Sequence, residues 1–187
     1  MEQWFLYFLF YSFAGYLLEK AFARITHSPN QVRKCFLLLP LCPVYGLAMT
    51  VLLAVTPEEM GLLPRVLLGG FVCTAVEYLV HLFYEKVLSV RFWDYSGLRG
   101  HFRGRICPQF AVIWGVLSTA AVLWVQPFVE ELAVRTPPEA AYVLWLLLAA
   151  DCVFTVALLR HGVGPEDLAL RTVFAQSRAS SQSSTSL

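Results

Sequence analysis

"VLLGGFVCTAVEYLVHLFYEKV", residues 66–87, is long and apolar enough to form a helix that crosses a lipid bilayer. Glu77, His81 and Glu85 follow one another within it at four-residue intervals, so they lie on one face of that helix. An ionised carboxylate at the middle of a bilayer costs at least about 2.5–3.5 kcal/mol. We therefore expect this face to lie against protein or water inside a membrane bundle.

The composition of the whole chain supports the same conclusion. Of its 187 residues, 58% are hydrophobic and 14% are charged, against about 45–50% apolar and 25% charged in soluble domains. At about 20 apolar residues per crossing, the sequence predicts an all-α, polytopic membrane bundle with about five transmembrane spans. The five predicted segments are residues 4–22, 36–55, 66–87, 106–128 and 140–159.

The distribution of Lys and Arg predicts an orientation. Basic residues dominate the stretches after the first, third and fifth segments, whereas glutamates dominate the two other connections. Short loops rich in Lys and Arg stay in the cytoplasm. We therefore expect a multi-pass protein of the bacterial inner (plasma) membrane, with its N-terminus outside and its C-terminus in the cytoplasm. Residues 1–160 form the predicted transmembrane domain, and residues 161–187 form a cytoplasmic tail that is disordered at its end.

Several functional classes find no support. A net charge of +1 argues against nucleic-acid binding, which needs a dense basic surface. The five cysteines are widely spaced without a CxxC pair, so we interpret them as packing residues. The sequence has no nucleophile elbow, phosphate-binding loop or His-Glu-x-x-His motif. No catalytic residue or cofactor is predicted, and an ATP-driven activity needs a separate ATPase subunit.

Two prolines, Pro40 and Pro43, interrupt the second segment. Each removes a backbone donor and disfavours helix in the residue before it. Residues 35–46 are therefore either an extended or re-entrant stretch leading into a short helix, or a proline-kinked helix. The candidate residues of this broken helix are Pro40, Pro43, Tyr45 and Gly46.

Other segments also carry acidic residues. Glu19 continues a stripe through Tyr11 and Gly15 on the first helix, and Asp151 lies in the fifth. Such residues form either a polar pathway or substrate site, or buried ion pairs and hydrogen bonds that hold the bundle together. The substrate or pathway candidates are Glu19, Glu77, His81, Glu85 and Asp151.

No metal site is predicted, although the spacing of Glu77, His81 and Glu85 resembles that of helical metal ligands. Three ligands at successive turns span about 12 Å along a helix. That distance is too long for one ion to contact all three side chains.

The order of several motifs indicates a family. They are "YSFAGYLLE" (11–19), "PLCPVYG" (40–46), "EYLVHLFYEK" (77–86), "FWDYS" (92–96), "GRICP" (104–108) and "FAVIWG" (110–115). With these motifs the chain resembles the bacterial membrane family of putative ABC-transporter type IV permeases, from residue 7 to about residue 155. The resemblance implies a multi-span transport permease, and it does not identify a substrate. His81 departs from the small hydroxyl residue expected at its position. The matching positions are Glu19, Pro43, Tyr45, Gly46, Glu77, Tyr78, Glu85, Trp93, Asp94, Tyr95, Gly104, Arg105 and Trp114.

The connection between the third and fourth segments is rich in Arg, Gly and aromatic residues. Our hypothesis is that it folds against residues 40–46 and closes the cytoplasmic mouth of the bundle over Glu19 and Glu85. An ion pair between Asp94 and Arg105 would then act as a latch. The latch candidates are Trp93, Asp94, Tyr95, Arg103 and Arg105.

The sequence thus predicts a permease-like membrane subunit with a polar intramembrane site for an unidentified substrate. Five short spans enclose little space, so we expect a second copy or other membrane subunits to complete the pathway, together with a separate ATPase. The alternative is a non-transporting membrane scaffold, or a lipid-binding or lipid-active protein that uses the same buried acids.

Overall fold

A computed structural model describes residues 2–26, 35–164 and 168 of this chain. Five continuous helical rods account for most of these residues, and the described part contains no β-strand. Two rods include a π-helical turn: Tyr84–Leu88 extends the third, and Ala121–Val125 joins the two parts of the fourth. The helices are α1 (Glu2–Ile25), α2 (Pro43–Val55), α3 (Leu62–Phe83), α4 (Pro108–Ala120), α5 (Gln126–Arg135) and α6 (Pro138–Arg160).

Three rods are long and apolar enough to cross a membrane. They are Leu62–Leu88, Pro108–Arg135 and Pro138–Arg160. α1 has 24 residues but more polar groups, and α2 has only 13. The predicted all-α membrane bundle is confirmed, and each of the five predicted segments overlaps one rod.

The second predicted segment becomes helical only at Pro43, because residues 35–42 form bends without helix. Pro43 is the first residue of α2, where its missing N–H has no helical partner to lose. Of the two predicted alternatives, the structure therefore has a non-helical stretch that leads into a short helix. It does not have a proline-kinked helix through residues 35–42. The non-helical stretch is nevertheless well packed, since Leu37 and Leu38 are buried.

The fourth rod is longer than the predicted segment and changes geometry within it. Pro127 lacks the N–H that an α-helix would donate one turn back. The π-helical turn Ala121–Val125 ends two residues before this proline and absorbs the mismatch. The helix therefore continues to Arg135.

α2 lies between α1 and α3, and α3 packs most extensively on α4. α5 returns to α1, where the Tyr11 hydroxyl donates to Oε1 of Gln126 at 2.8 Å. α6 contacts α1 and the π-helical turn that follows α3. The first core cluster comprises Tyr7, Tyr11, Met49, Leu52, Val72, Val129 and Ala133.

Residues 89–107, which we call the α3–α4 loop, fold back on themselves. The Tyr95 N–H donates to the carbonyl of Gly104 at 2.8 Å, and an isolated bridge pairs Phe102 with Ile106. Gly104 has φ +71°, and a Cβ there would approach the Asp94 carboxylate and the Ser96 hydroxyl at 2.6 Å. Only glycine fits this turn without strain.

α6 ends at Arg160, and the division of the chain into a transmembrane domain and a tail at this residue stays a prediction. Most of the predicted tail lies outside the described residues, as do Arg33 and Lys34 of the first basic stretch.

Candidate functional site

Glu77 lies on the buried face of α3 and is only 7% exposed. Two neutral donors reach its carboxylate. The Tyr95 hydroxyl of the α3–α4 loop donates to Oε1 at 2.7 Å, and the Trp114 indole N–H of α4 donates to Oε2 at 3.2 Å. A residue of the loop therefore hydrogen bonds to a buried acid in a transmembrane helix.

A second carboxylate, Glu19 of α1, is linked to the first through Tyr45 and Trp114. The Tyr45 hydroxyl, from the first turn of α2, donates to Oε1 of Glu19 at 2.6 Å. The Tyr45 ring contacts Trp114 nearly edge-on, with ring centroids 5.6 Å apart. The two carboxylates are close enough for their charges to interact.

Phe110 completes this group of aromatic rings. It stacks on Tyr95 with centroids 4.9 Å apart, and it lies 5.8 Å from the Trp114 ring. The six residues form a continuous set of contacts across α1, α2, α3, α4 and the α3–α4 loop. We call them the acid–aromatic cluster: Glu19, Tyr45, Glu77, Tyr95, Phe110 and Trp114.

The acid–aromatic cluster has no basic partner among the described residues. Salt bridges in the described part of the chain join Glu85 to Arg91, Glu85 to Arg105, and Glu131 to Arg135. Neither Glu19 nor Glu77 takes part in one. Burial, and after it the nearby Glu77 charge, raise the pKa of the Tyr95 hydroxyl well above its usual value. Tyr95 therefore remains a neutral hydrogen-bond donor at physiological pH.

Glu85, at the cytoplasm-facing end predicted for the third segment, is the centre of a separate ionic group. Nε and Nη2 of Arg105 donate to its Oε2 at 2.9 and 2.6 Å. Arg91 donates to Oε1 at 2.6 Å. The hydrogen bonds that Arg105 donates to Glu85 raise the pKa of its guanidinium. Trp93 strengthens this arrangement, because its indole N–H donates to the carbonyl of Arg105 at 3.1 Å.

The predicted ion pair between Asp94 and Arg105 is absent from the described structure, and this is a correction. Oδ1 of Asp94 instead accepts the Ser96 N–H at 2.8 Å and the Ser96 hydroxyl at 2.5 Å. These bonds hold the pKa of Asp94 below its usual value. The short Asx turn satisfies Asp94 locally, which leaves Arg105 to pair with Glu85.

The remaining candidates lie away from the acid–aromatic cluster. His81 is 3% exposed and contacts Trp93 edge-on, and its Nδ1 has no hydrogen-bond partner among the described residues. Arg103 is exposed and lies over the Phe102 ring. Pro40 is exposed in the bent stretch, whereas Gly46 packs against α1.

Asp151 of α6 fixes the non-helical stretch. Its Oδ1 accepts the N–H of Leu38 at 3.2 Å and its Oδ2 accepts the N–H of Leu39 at 3.0 Å. Thr155, one turn along α6, is 3.5 Å from Oδ1. The carboxylate of Asp151 thus accepts hydrogen bonds from backbone N–H groups that do not belong to a helix.

The sequence missed two members of the acid–aromatic cluster as site residues. In the sequence, Trp114 is only a position that matches the family, and Phe110 lies within the same motif but is not itself a candidate. Their spacing was the available signal, because residues four apart lie on one helix face. Among the described residues, no group of three or more His, Cys, Asp or Glu could hold a metal ion.

A protein family described as "Putative ABC-transporter type IV" matches residues 6–156 of the chain. This match covers most of the sequence and all six residues of the acid–aromatic cluster. No curated protein and no solved structure matches the chain.

Proposed function

The chain belongs to the putative ABC-transporter type IV family, and on that premise we propose that it is a permease-like membrane subunit with a gated polar site. The site is the acid–aromatic cluster, and the α3–α4 loop is its gate. The hydrogen bond from Tyr95 to Glu77 carries this proposal. This bond ties the connecting loop to a buried acid, so a movement of the loop would uncover that acid.

The gate is held by polar contacts at one end of α3. Arg105 binds Glu85, and Trp93 binds the backbone of Arg105. Both contacts lie in the same loop as Tyr95. Breaking the Glu85 contact therefore frees the segment that carries the Tyr95 hydroxyl. In the proposed open state, Tyr95 leaves Glu77 and the polar site becomes accessible from the side of the loop.

The distribution of basic residues supports a cytoplasmic location for this gate. Arg24, Arg105 and Arg160 are at the end of the bundle that holds the α3–α4 loop, as expected for antiparallel neighbouring helices. The positive-inside rule assigns that end to the cytoplasm. We propose an inner-membrane protein with an external N-terminus. A separate ATPase supplies the energy, and a second copy or another subunit completes the pathway.

The gate can be tested by thiol labelling. In a variant with all five cysteines replaced by alanine, Thr74→Cys introduces a thiol one turn before Glu77. A charged, membrane-impermeant thiol reagent is added to inside-out vesicles. We expect weak labelling with Arg105 present and clearly stronger labelling after Arg105→Gln. Equal labelling in both backgrounds would contradict the gate.

Leu79→Cys provides the matched control on the same helix. Leu79 is exposed on the outer surface of α3 and faces lipid in the proposed bundle. The charged reagent should not label it before or after Arg105→Gln. Copurification in native lipid then tests the partners, since an associated ATPase supports a permease subunit.

A non-transporting scaffold is the second candidate. It is favoured by the fact that Glu19, Glu77 and Asp151 all accept hydrogen bonds from this same chain. Such bonds can serve packing alone. Glu77→Gln separates the two functions: a scaffold role predicts failure to accumulate in the membrane, and a site role predicts normal accumulation with loss of activity.

A further inference from the structure

We propose that the acid–aromatic cluster binds an organic ammonium ion. This inference rests on the proposed function and names the class of substrate that its gated site would accept. Three independent features support it: the charge of the cluster, its aromatic surface, and unpaired hydroxyl groups on the same helix faces.

The charge is the first feature. Glu19 and Glu77 are joined through the contact of Tyr45 with Trp114, and every hydrogen bond that they accept from described residues comes from a neutral hydroxyl or indole group. Neutral donors orient a carboxylate but leave its charge in place. In a bundle of apolar helices an uncompensated charge is costly, and a carboxylate there either takes up a proton or binds a cation. A ligand with one positive charge is such a cation.

The aromatic surface is the second feature. The Tyr95 ring stacks on Phe110, and the Tyr95 hydroxyl donates a hydrogen bond to Oε1 of Glu77. When the loop opens, a carboxylate oxygen and an aromatic face are uncovered together. An ammonium ion with alkyl substituents fits this pair of surfaces, because it gains Coulomb attraction from the acid and cation–π attraction from the rings. Tyr95 thus occupies the position that the ligand would take.

Unpaired hydroxyls are the third feature. Ser12 is 0% exposed and its Oγ has no hydrogen-bond partner among the described residues. It lies two helical turns from Glu19 on the same face of α1. Oγ1 of Thr74 is likewise buried without a partner, one turn before Glu77 on α3. Buried polar atoms normally have partners. A hydroxylated ammonium ion bound at Glu77 offers one to Thr74, whereas the Ser12 hydroxyl packs against Gly46 of α2.

A metal ion fits the same position less well. Hard cations take six or more oxygen ligands, and the described residues hold no group of three or more acidic, His or Cys side chains suited to a metal. Aromatic rings contribute little to a fully hydrated metal ion. They contribute directly to an alkylammonium ion, whose surface is apolar and whose charge is diffuse.

The test compares choline with its neutral isostere, 3,3-dimethylbutan-1-ol, by titration calorimetry on the full chain in lipid nanodiscs. The two molecules have nearly the same shape and differ in charge. We expect choline to bind at least about tenfold more tightly, a ratio that corresponds to about 1.4 kcal/mol. Equal affinities, or no detectable choline binding, would overturn the assignment. This comparison needs no variant and so does not depend on a mutant folding.

Variants then locate the site. Glu77→Gln and Glu19→Gln should each weaken choline binding, whereas the exposed control Glu131→Gln should leave it unchanged. Tyr95→Phe should strengthen binding, because the competing hydroxyl is removed and the ring is retained. Weaker binding after Tyr95→Phe would overturn the view of Tyr95 as a competing occupant. Thiol gating without choline binding would refute the ligand class while leaving the gated permease intact.

Discussion

The hydroxyl of Tyr95 donates to Oε1 of Glu77 at 2.7 Å and so ties the α3–α4 loop to the interior of the bundle. Tyr95→Phe removes this bond and keeps the ring on Phe110. A hydrogen bond to a charged group contributes about 1.5–3 kcal/mol, so we expect a loss of stability of about 1–3 kcal/mol. Denaturant titration in mixed micelles measures the loss, and hydrogen exchange should accelerate in residues 92–98.

Tyr142→Phe is the control for this prediction. The Tyr142 hydroxyl lies on an exposed part of α6 and approaches Glu2 at 3.5 Å, which is the limit of a hydrogen bond. Its removal should change stability by no more than about 0.5 kcal/mol. If Tyr95→Phe were equally mild, the loop would not be held by Glu77.

The same hydroxyl makes stability depend on alkaline pH. Burial, followed by the Glu77 charge, raises the pKa of Tyr95 in the folded chain above its ordinary value, which is about 10. Above pH 10 the unfolded chain loses this proton while the folded chain retains it. The resulting stabilisation is therefore complete below pH 10 and decreases as the pH rises beyond it.

The measurement is the thermal unfolding midpoint between pH 8 and pH 11 for the wild type and Tyr95→Phe. Other buried tyrosines contribute to both proteins, so the difference between the curves isolates Tyr95. We expect the difference to shrink above pH 10. Curves that stay parallel across the whole range would rule out this titration.

Glu85 and Arg105 should be energetically coupled. Two nitrogens of Arg105 contact one carboxylate oxygen, at 2.9 and 2.6 Å. Either Glu85→Gln or Arg105→Gln should speed proteolytic cleavage within the α3–α4 loop. The double variant should be cleaved hardly faster than the worse single variant, because both changes break one interaction. Strictly additive rate changes would show that the two residues act separately.

Arg105→Lys adds a finer comparison. Lysine keeps the charge but offers a compact ammonium group in place of the planar fork of arginine. We expect protection from the protease between that of the wild type and that of Arg105→Gln. Full protection by lysine would mean that charge alone holds the loop.

The helical bundle could be predicted from the sequence because each crossing helix is recognised from one continuous apolar segment. A crossing helix needs about 20 apolar residues, and that requirement can be checked segment by segment. The buried face of α3 followed equally directly, since the four-residue spacing of Glu77 and His81 fixes their common face. The structure buries both residues.

The ion-pair partner of Arg105 could not be predicted in the same way. Asp94 and Glu85 are both acids near Arg105, and the sequence does not show which of them it contacts. The partner of Arg105 depends on a local turn, because the hydrogen bonds that Ser96 donates in this turn already satisfy the Asp94 carboxylate. The contacts of Trp114 and Phe110 likewise depend on how α4 packs on α3, which no periodicity encodes.

The contact between α3 and α4 should be sensitive to a single methyl group. A Cβ at Gly115 would overlap the Val66 backbone of α3, whereas one at Gly97, in the loop, would meet no described residue within 4 Å. Small residues allow such close approach of membrane helices. We expect Gly115→Ala to destabilise the protein by about 1–3 kcal/mol, and Gly97→Ala to be nearly neutral. Equal thermal midpoints for the two variants would show that α4 can shift to accommodate the methyl group.

Asp151 should control access to the non-helical stretch at residues 35–42. Its two oxygens accept the N–H groups of Leu38 and Leu39, and losing an acceptor for a buried N–H costs about 1–3 kcal/mol. Asp151→Asn keeps one carbonyl oxygen and so retains one acceptor. Asp151→Leu keeps none, and we expect it to loosen the stretch more.

Native thiols report this loosening directly. Cys35 and Cys42 flank the stretch and are 1% and 3% exposed, so a maleimide should label them slowly in the wild type. With the other three cysteines replaced by alanine, labelling should accelerate in the order wild type, Asp151→Asn, Asp151→Leu. Cys→Ala replacement of both reporters gives the background signal. If Asp151→Leu labelled as slowly as the wild type, packing alone would hold the stretch, and the carboxylate of Asp151 would be free for another role.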